Sequence, residues 1–466
     1  MSGKHKLKTK PKKYQWVGAK TIHKWGGRAL LADDMGLGKT LQVLLYIYKT
    51  NTKPVIIVCP ASAKMVWKSE ALKHFNMYAD VAEGRKPPSV TGGLIAPPKI
   101  LVINYDILSH WATYIESIKP ELIVFDEAHY LADRESKRTI TSIKLADIIP
   151  KAIPMTGTPM NNRQKDLWPL IRIVKPDLYP SFLKYAWEFC EPKKAPWGKW
   201  EFNGARKSKK LHKILKNGIM IRRRKSEVLK ELPAKQRQVI PIELSKKAKA
   251  EYTKATRDFL GWLGGKNKAK AKKAKKAVAV TKLGYLLRLS AKLKFKAAIQ
   301  WVDDFLEGTD EKIILFVHHK AAVRALERRY RGRCVSIVGS TKKSLRKVAA
   351  DRFQTDPKIR VFIGNGAAAE ALTLHAASTV AFLELWWVPG KIEQAEDRAH
   401  RIGQLKQVMI YYLLAVGTYE EKLAEIVQKK QRNKQEVIDG EFELGDDGYQ
   451  LSLLDQLLES IEKDQN

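Results

Sequence analysis

Three features are scarce or missing in this chain, and each excludes a class of protein. Only three of its 466 residues are cysteine, at Cys59, Cys190 and Cys334, and this spacing excludes a disulfide scaffold or a zinc finger. No uncharged apolar run approaches the roughly 18 residues that a membrane span needs. The first 13 residues hold six lysines and no apolar stretch, so they are not a secretory signal. We therefore expect an intracellular protein with no membrane partner, from a bacterial cytoplasm, an infected host cell or a nucleus.

Acidic residues are also in short supply. The chain has 86 Lys plus Arg against 49 Asp plus Glu, which gives a formal net charge of +37. A charge this large indicates a polyanionic partner, either nucleic acid or an anionic surface. Seven lysines and no acid lie between Gly264 and Ala277. This segment is either a solubilising insert or a direct contact to phosphate, and its composition favours neither reading.

Apolar runs of strand length alternate with helical patterns along the chain. This alternation predicts an α/β protein with parallel sheets. The strand-like runs fall into two groups, separated by a helical and basic stretch between Asn161 and Lys296. They are Arg28–Ala32, Val55–Cys59, Ile100–Ile103, Leu122–Phe125, Ala152–Met155, Lys312–Val317, Arg360–Ile363 and Thr379–Leu383, with a weaker run at Gln238–Ile242. We expect two sheet-containing lobes, with a late helix at Tyr419–Gln431 closing the second.

The first chemical signal is a glycine-punctuated turn at residues 32–40, which joins a strand to an amphipathic helix. Gly36 and Gly38 let backbone N–H groups approach phosphate oxygens, and the helix N-terminus adds a partial positive charge. In such a loop Lys39 reaches the β- and γ-phosphates, and the Thr40 hydroxyl binds Mg²⁺. The turn therefore predicts a nucleoside triphosphate site with a magnesium ion.

A pair of acids at the end of a buried strand is the second signal. Asp126 and Glu127 follow an apolar run, at the carboxyl edge of the sheet where open α/β folds bind ligands. We expect Asp126 to hold the magnesium ion and Glu127 to orient and deprotonate the attacking water.

The glycine turn at residues 32–40 departs from the strict P-loop pattern at one position. That pattern places glycine where this chain has Asp33, so the match is partial.

Together these motifs resemble the SWI/SNF-type ATPases of helicase superfamily two. The most specific block is Gln394–Gln404, eleven residues in register with the family. The resemblance extends from about Tyr14 to about Gln431. Other matching blocks are the 32–40 turn, Asp126–His129, Met155–Pro159, Cys59–Ser62 with Trp67, Ile221–Lys225 running to Leu232–Pro233, Phe316–His319 and Gly339–Thr341.

The resemblance implies two RecA-like lobes that hydrolyse ATP between them and move along double-stranded DNA. It assigns the adenine-reading role to Gln15 and adds Gln394 to the nucleotide site. Arg398 and Arg401 become arginine fingers for the γ-phosphate, and their spacing of three predicts a shared helix face. The resemblance further implies a minimal, monomeric motor that acts on DNA structures and on DNA-bound proteins.

DNA contacts in this family go mainly to phosphates, which position without specifying sequence. The residues matched to such contacts are Ser62, Lys64, Trp67, Ser340, Thr341, Thr373 and Trp387. For Trp387, next to Trp386, burial in the core is the alternative reading.

Departures from the family pattern leave alternatives open. Ala369 and Ala371 stand where glycine is usual, and Val388 stands where asparagine is usual. If the first two positions need positive φ, alanine is strained there and coupling of DNA binding to hydrolysis is altered. The two alanines therefore leave a non-catalytic ATP-gated DNA clamp as an alternative to the translocase. A strand-separating helicase of the same superfamily is the other alternative.

The sequence predicts the following division of the chain. A basic tail at 1–13 precedes lobe one at 14–240, a helical and Lys-rich insertion at 241–300, lobe two at 301–440, and an acidic tail at 441–466. The acidic tail carries eight acids and one lysine, with an apolar helical stripe at Ser452–Lys463. The stripe indicates a terminal helix docked on the body. A second reading is that its acids cover part of the DNA surface.

Overall fold

The computed structural model describes residues 8–88, 97–160, 163–194, 198, 200–264, 272–366, 372–386 and 389–440. These residues divide into two compact units. Of the described residues, those up to 230 and those at 433–440 form unit 1, and those at 231–432 form unit 2. The acidic tail and part of the Lys-rich segment lie outside the described residues.

The helices range in length from 4 to 37 residues. They are α1 (Lys13–Lys24), α2 (Lys39–Thr50), α3 (Lys64–Phe75), α4 (Leu108–Ser117), α5 (Lys137–Ile148), α6 (Trp168–Val174), α7 (Phe182–Phe189), α8 (Ser208–Lys216), α9 (Lys225–Val228), α10 (Lys246–Gly264), α11 (Lys272–Gly308), α12 (Lys320–Arg329), α13 (Lys343–Thr355), α14 (Pro389–Glu396) and α15 (Tyr419–Asp439). Short 3-10 turns lie at Ala128–Leu131 and Gln164–Leu167.

The strands are mostly short and buried. They are β1 (Leu30–Leu31), β2 (Val55–Cys59), β3 (Asp80–Val81), β4 (Ile100–Asn104), β5 (Leu122–Asp126), β6 (Lys151–Met155), β7 (Pro192–Lys194), β8 (Trp200–Phe202), β9 (Met220–Ile221), β10 (Lys235–Ile242), β11 (Ile313–Phe316), β12 (Cys334–Ile337), β13 (Val361–Gly364), β14 (Thr379–Phe382) and β15 (Val408–Ala415).

Unit 1 is built on a parallel sheet with the strand order β3-β4-β2-β5-β6-β1-β9. Alternate residues of β2 enter different cores. Ile56 and Val58 pack into one cluster, and Val55, Ile57 and Cys59 pack into the other. Because both faces are covered, the strands carry continuous apolar runs rather than alternating ones.

Unit 2 repeats this architecture with the order β10-β15-β14-β11-β13-β12, again all parallel. Strand β11 is central, with Ile314 and Phe316 in one core and Ile313 and Leu315 in the other. The predicted α/β fold with two parallel-sheet lobes is therefore confirmed.

Two boundaries differ from the expected division. Strand β10 pairs with β15 along its full length, so residues 235–240, assigned to lobe one, belong to the sheet of unit 2. Residues 433–440, assigned to lobe two, belong to unit 1, where Val437 and Ile438 are buried in the core. The first segment is placed by its strand pairing and the second by the core that it enters, and a reading by sequence order reveals neither.

The sequence-based assignment missed β3, β7, β8, β9, β12 and β15, and it recognised β10 only from Gln238 onward. The burial of β12 alternates, and β10 is mostly exposed, so neither carries the continuous apolar run used as the signal. Within the described ranges, no helix combines the length and the apolar character needed to cross a membrane.

Candidate active site

The glycine turn before α2 forms a tight cradle in unit 1. Gly36 and Gly38 have φ of 83° and 69°, a left-handed conformation that a side chain disfavours. The Lys39 ammonium donates to the carbonyl oxygens of Asp33 at 2.8 Å and Asp34 at 3.3 Å. Burial lowers the pKa of Lys39, while the charges of Glu127 and Asp33 act in the opposite direction. The turn thus holds a half-buried cation among backbone carbonyl oxygens, at the start of a helix.

Asp33, which departs from the strict P-loop pattern, is fully buried and ion-paired. Arg223 donates to both of its carboxylate oxygens, at 3.0 and 2.7 Å, and Gln42 donates to Oδ2 at 2.9 Å. Arg223 also donates to the Gln42 side-chain oxygen at 2.7 Å. The Asp33 carboxylate therefore anchors the start of the turn to Arg223 and Gln42. A glycine at this position would leave these donors without an acceptor.

Gln15 lies against the same turn. Its amide nitrogen donates to the Leu37 carbonyl at 3.2 Å, and its oxygen accepts from the Lys12 backbone N–H at 2.9 Å. A Cβ built on Gly38 would lie 2.5 Å from that amide nitrogen. The structure places the residue at the nucleotide turn, and its adenine-reading role stays a prediction.

Asp126 and Glu127 end strand β5 at the carboxyl edge of the sheet. Asp126 Oδ1 accepts from the Glu127 backbone N–H at 2.9 Å, and Glu127 has a left-handed backbone with φ of 49°. Burial and the neighbouring charge of Glu127 raise the pKa of Asp126 to about 7. Two carboxyl groups this close favour a cation between them.

The Glu127 carboxylate is linked to the end of β6 through His129. Nδ1 of His129 lies 3.2 Å from Glu127 Oε2 and 3.1 Å from Thr156 Oγ1, and the Thr158 backbone N–H donates to that hydroxyl at 3.1 Å. A Cβ on the following Gly157 would lie 3.4 Å from the Lys39 ammonium nitrogen. The Met155–Pro159 block, with Thr156 and Thr158, therefore lies beside both Lys39 and Glu127.

Among the described residues, no group of three or more His, Cys, Asp or Glu side chains forms a metal site. The donors near the turn are instead the Asp126 carboxylate and the half-buried Thr40 hydroxyl. Hard oxygen donors in small number suit Mg²⁺, which keeps waters and substrate phosphates as its other ligands. The residues present therefore fit a magnesium ion that arrives with a nucleotide.

Trp67 does not lie where the DNA prediction requires. Its side chain is 1% exposed, and its indole N–H donates to Asp126 Oδ2 at 2.7 Å. A side chain this buried offers no surface to DNA, so its predicted DNA contact is wrong for this structure. Trp67 lies on the face of α3 that packs into the core with Ala71 and Phe75, and a motif match does not show which face that is.

Ser62 and Lys64 remain near the surface, in the turn between β2 and α3. Ser62 is half-buried, and the Lys64 ammonium donates to the Ala82 carbonyl at 2.7 Å. A phosphate contact by Lys64 would replace or share that hydrogen bond.

The arginines of unit 2 follow α14 rather than lying on it. The helix ends at Glu396, and residues 397–401 form tight turns, with the Arg398 N–H bonded to the Ala395 carbonyl at 3.1 Å. The predicted shared helix face is therefore wrong. Arg398 is 3% exposed and donates to the carbonyls of Gln394 at 3.0 Å and Leu372 at 3.1 Å. Gln394 itself is buried.

Arg401 is the more accessible of the two arginines. Its Nη1 donates to Thr373 Oγ1 at 3.2 Å, and its Nε donates to the Asp397 carbonyl at 3.0 Å. The residue matched to phosphate stabilisation thus bonds directly to Thr373, a residue matched to DNA contact.

A buried ion network fixes the segment that carries these arginines. Glu396 has 0% exposure, and Arg237 donates to both of its carboxylate oxygens at 2.8 and 2.7 Å. Lys235 donates to Glu396 at 2.9 Å and to Asp397 at 3.1 Å, and the Tyr412 hydroxyl donates to Glu396 as well. Strand β10 therefore holds the finger segment through its own cations.

The remaining predicted DNA residues of unit 2 lie in two loops. Ser340 is exposed after β12, and the Thr341 hydroxyl accepts from the Val338 backbone N–H at 3.0 Å. Thr373 is exposed before Leu374. Trp387, Val388, Ala369 and Ala371 lie outside the described residues.

Two family models match this chain. The model described as the SNF2-related domain matches residues 15–294, and the Helicase conserved C-terminal domain matches residues 294–403. The chain therefore belongs to the SNF2 family of helicase-like ATPases, and the predicted family is confirmed.

Curated relatives match over most of the chain. A SWI/SNF-related matrix-associated actin-dependent regulator of chromatin subfamily A-like protein 1 from Xenopus tropicalis is 32% identical over 418 residues, 87% of this chain and 42% of that protein. The DNA annealing helicase and endonuclease ZRANB3 from Mus musculus is 32% identical over 441 residues, 91% of this chain and 40% of that protein. The chain thus spans about two fifths of the length of these relatives.

Among solved structures, the Sulfolobus solfataricus SWI2/SNF2 ATPase core in complex with dsDNA is 24% identical. The match covers 93% of this chain and 94% of that one, with a TM-score of 0.44.

Sequence reasoning missed three features of the site. These are the Asp33–Arg223 pair, the Trp67–Asp126 hydrogen bond and the Glu396 network. The run Arg222–Arg224 was visible as a motif, but only the structure identifies the acid that each arginine contacts. Arg222, for example, pairs with Asp34 at 2.8 Å and with Asp439 at 2.7 Å.

Proposed function

We propose that this chain is a magnesium- and ATP-dependent motor that moves along double-stranded DNA. The observation that carries the proposal is the constellation in unit 1. Lys39 begins α2 directly after the glycine turn, and Glu127 directly follows Asp126 at the end of β5. Glu127 lies near enough to Lys39 for its charge to act on the ammonium group. Family membership supports the same reaction.

Each residue has a role in the proposed hydrolysis. The turn and Lys39 bind the β- and γ-phosphates, and Glu127, oriented by His129, accepts a proton from the attacking water. Magnesium, held by Asp126 and Thr40, would neutralise phosphate charge. Gln15 and Gln394 contribute to nucleotide binding, and Arg398 and Arg401 supply positive charge for the γ-phosphate.

For DNA, we propose phosphate contacts by Ser62, Lys64, Ser340, Thr341 and Thr373. Contacts of this kind tolerate any sequence and make binding fall steeply with salt. The net charge of +37 supports a nucleic-acid partner. Since one relative is named a DNA annealing helicase, we propose rewinding or remodelling of DNA structures rather than strand separation.

The test measures phosphate release by the purified chain with duplex DNA, single-stranded DNA or RNA. We expect duplex DNA to stimulate turnover most, and Glu127→Gln to abolish the stimulated rate while retaining ATP binding. Turnover equal to that of Glu127→Gln under all conditions would refute the enzyme and leave a DNA clamp. Annealing and strand-displacement assays run in parallel then separate a rewinding motor from an unwinding helicase.

A further inference from the structure

The indole of Trp67 is a direct link between helix α3 and the Asp126 carboxylate. Trp67 Nε1 donates to Asp126 Oδ2 at 2.7 Å, and the Glu127 backbone N–H donates to Oδ1 at 2.9 Å. Each carboxylate oxygen therefore has one donor, and together the two fix the plane of the carboxylate.

The same helix begins at the predicted DNA-contact turn. Ser62 lies just before α3, and Lys64 is its first residue, one turn from Trp67. On the outer side of this turn, Met65 and Val66 are exposed. Strands β2 and β5 are hydrogen-bonded neighbours with Val58 opposite Phe125, so the turn and Asp126 lie at adjacent strand ends. A ligand that displaces the first turn of α3 therefore displaces the indole with it.

We propose that Trp67 is a positioning residue that transmits DNA occupancy of the α3 turn to Asp126. The inference rests on the proposed function, since it concerns DNA stimulation of ATP hydrolysis. DNA phosphates bound at Ser62 and Lys64 fix the position of α3, and the Trp67 indole on that helix fixes the orientation of the Asp126 carboxylate. Because Asp126 would hold the magnesium ion, its orientation determines how well the metal site is formed.

The chain offers a matched control in Trp111. This tryptophan is also buried in unit 1, and its indole N–H donates to a backbone carbonyl, that of Gly84, at 3.1 Å. Trp67→Phe and Trp111→Phe each remove one indole donor from a buried site. Only the first removes a donor from Asp126.

The experiment measures ATP turnover with and without saturating duplex DNA, and the magnesium dependence of each rate. In Trp67→Phe we expect the ratio of DNA-stimulated to DNA-free turnover to fall about fivefold or more, with a higher magnesium requirement. Trp111→Phe keeps the ratio of the unmodified chain. An unchanged ratio in Trp67→Phe overturns the proposal, including the case in which both rates fall equally. If the unmodified chain shows no DNA stimulation, the proposed function itself fails.

A measurement on the unmodified chain covers the case in which Trp67→Phe does not fold. Amide hydrogen exchange is compared with and without duplex DNA, in the absence of nucleotide. The proposal predicts slower exchange both at residues 63–67 and at the Glu127 N–H, which bonds to Asp126. Protection of residues 63–67 alone overturns it.

Discussion

The buried Glu396 offers a quantitative test of how the arginine segment is held in place. Its carboxylate is fully enclosed and receives hydrogen bonds from Arg237, Lys235 and Tyr412. Burial raises the pKa of Glu396, but the charges of Lys235 and Arg237, with the hydrogen bonds, outweigh it and lower the pKa to about 2. The substitution Glu396→Gln keeps the shape of the side chain and removes the charge.

The expected loss of stability follows from the lowered pKa of Glu396. A carboxyl group whose pKa falls from 4.5 to about 2 on folding contributes on the order of 3 kcal/mol of folding free energy at neutral pH. The variant also removes the carboxylate partner of the exposed Arg237, whereas Lys235 keeps Asp397 at 3.1 Å, so this loss adds less than the roughly 3–5 kcal/mol of a fully buried pair. We therefore expect Glu396→Gln to destabilise unit 2 by about 3 kcal/mol or more.

Urea unfolding, followed by a probe in unit 2, measures the effect. For a domain of this size, about 3 kcal/mol moves the unfolding midpoint down by roughly 1 M urea. Glu307→Gln is the control, because it makes the same chemical change on an exposed helix residue of the same unit. Equal unfolding midpoints for Glu396→Gln and Glu307→Gln would refute the inference that the Glu396 ion network stabilises unit 2.

The pH dependence has a definite sign. Because the folded-state pKa lies below the ordinary value, the stabilisation is present above pH 4.5 and is lost as the pH falls toward 2. The difference in unfolding free energy between the unmodified chain and Glu396→Gln should therefore shrink as the pH falls from 4.5 toward 2. A difference that stays constant down to pH 2 would contradict the assignment.

Two further substitutions test other parts of the structure. Gly157→Ala should raise the KM for ATP several-fold, because its Cβ would lie 2.5 Å from Met35 Cγ beside the nucleotide turn, and an unchanged KM would mean that Met35 moves aside freely. Lys294→Met should lower the unfolding free energy of unit 2 by about 3–5 kcal/mol, because it leaves the buried Glu420 without its 2.6 Å ion pair; a melting temperature equal to that of the unmodified chain would contradict this.

The sequence predicted those parts of the fold that depend on local pattern. Continuous apolar runs such as β2 and β5 identified the parallel sheets because both faces of each sheet are covered. Strand β10 was assigned only in part, because most of its residues are exposed or half-exposed at a sheet edge before Pro241 and Ile242. A strand of this kind is defined by its partner β15 rather than by its own composition.

The candidate site likewise contains residues that local motifs predict and contacts between residues distant in sequence that they do not. Motif spacing predicted Lys39, Asp126 and Glu127 because the chemistry needs those residues after the carboxyl ends of strands of one sheet. It could not locate Arg223 or Lys235, whose acids Asp33 and Glu396 are distant in sequence. It also assigned Trp67 to DNA, because a motif match does not show which side of a helix faces the core.

In the proposed motor, duplex DNA stimulates ATP hydrolysis and Arg401 supplies positive charge for the γ-phosphate, and Arg401→Gln tests this most directly. Steady-state phosphate release is measured with saturating ATP and duplex DNA, alongside ATP binding. We expect turnover to fall by about 10³-fold while ATP and DNA are still bound. Undiminished DNA-stimulated turnover in Arg401→Gln would contradict the proposed motor.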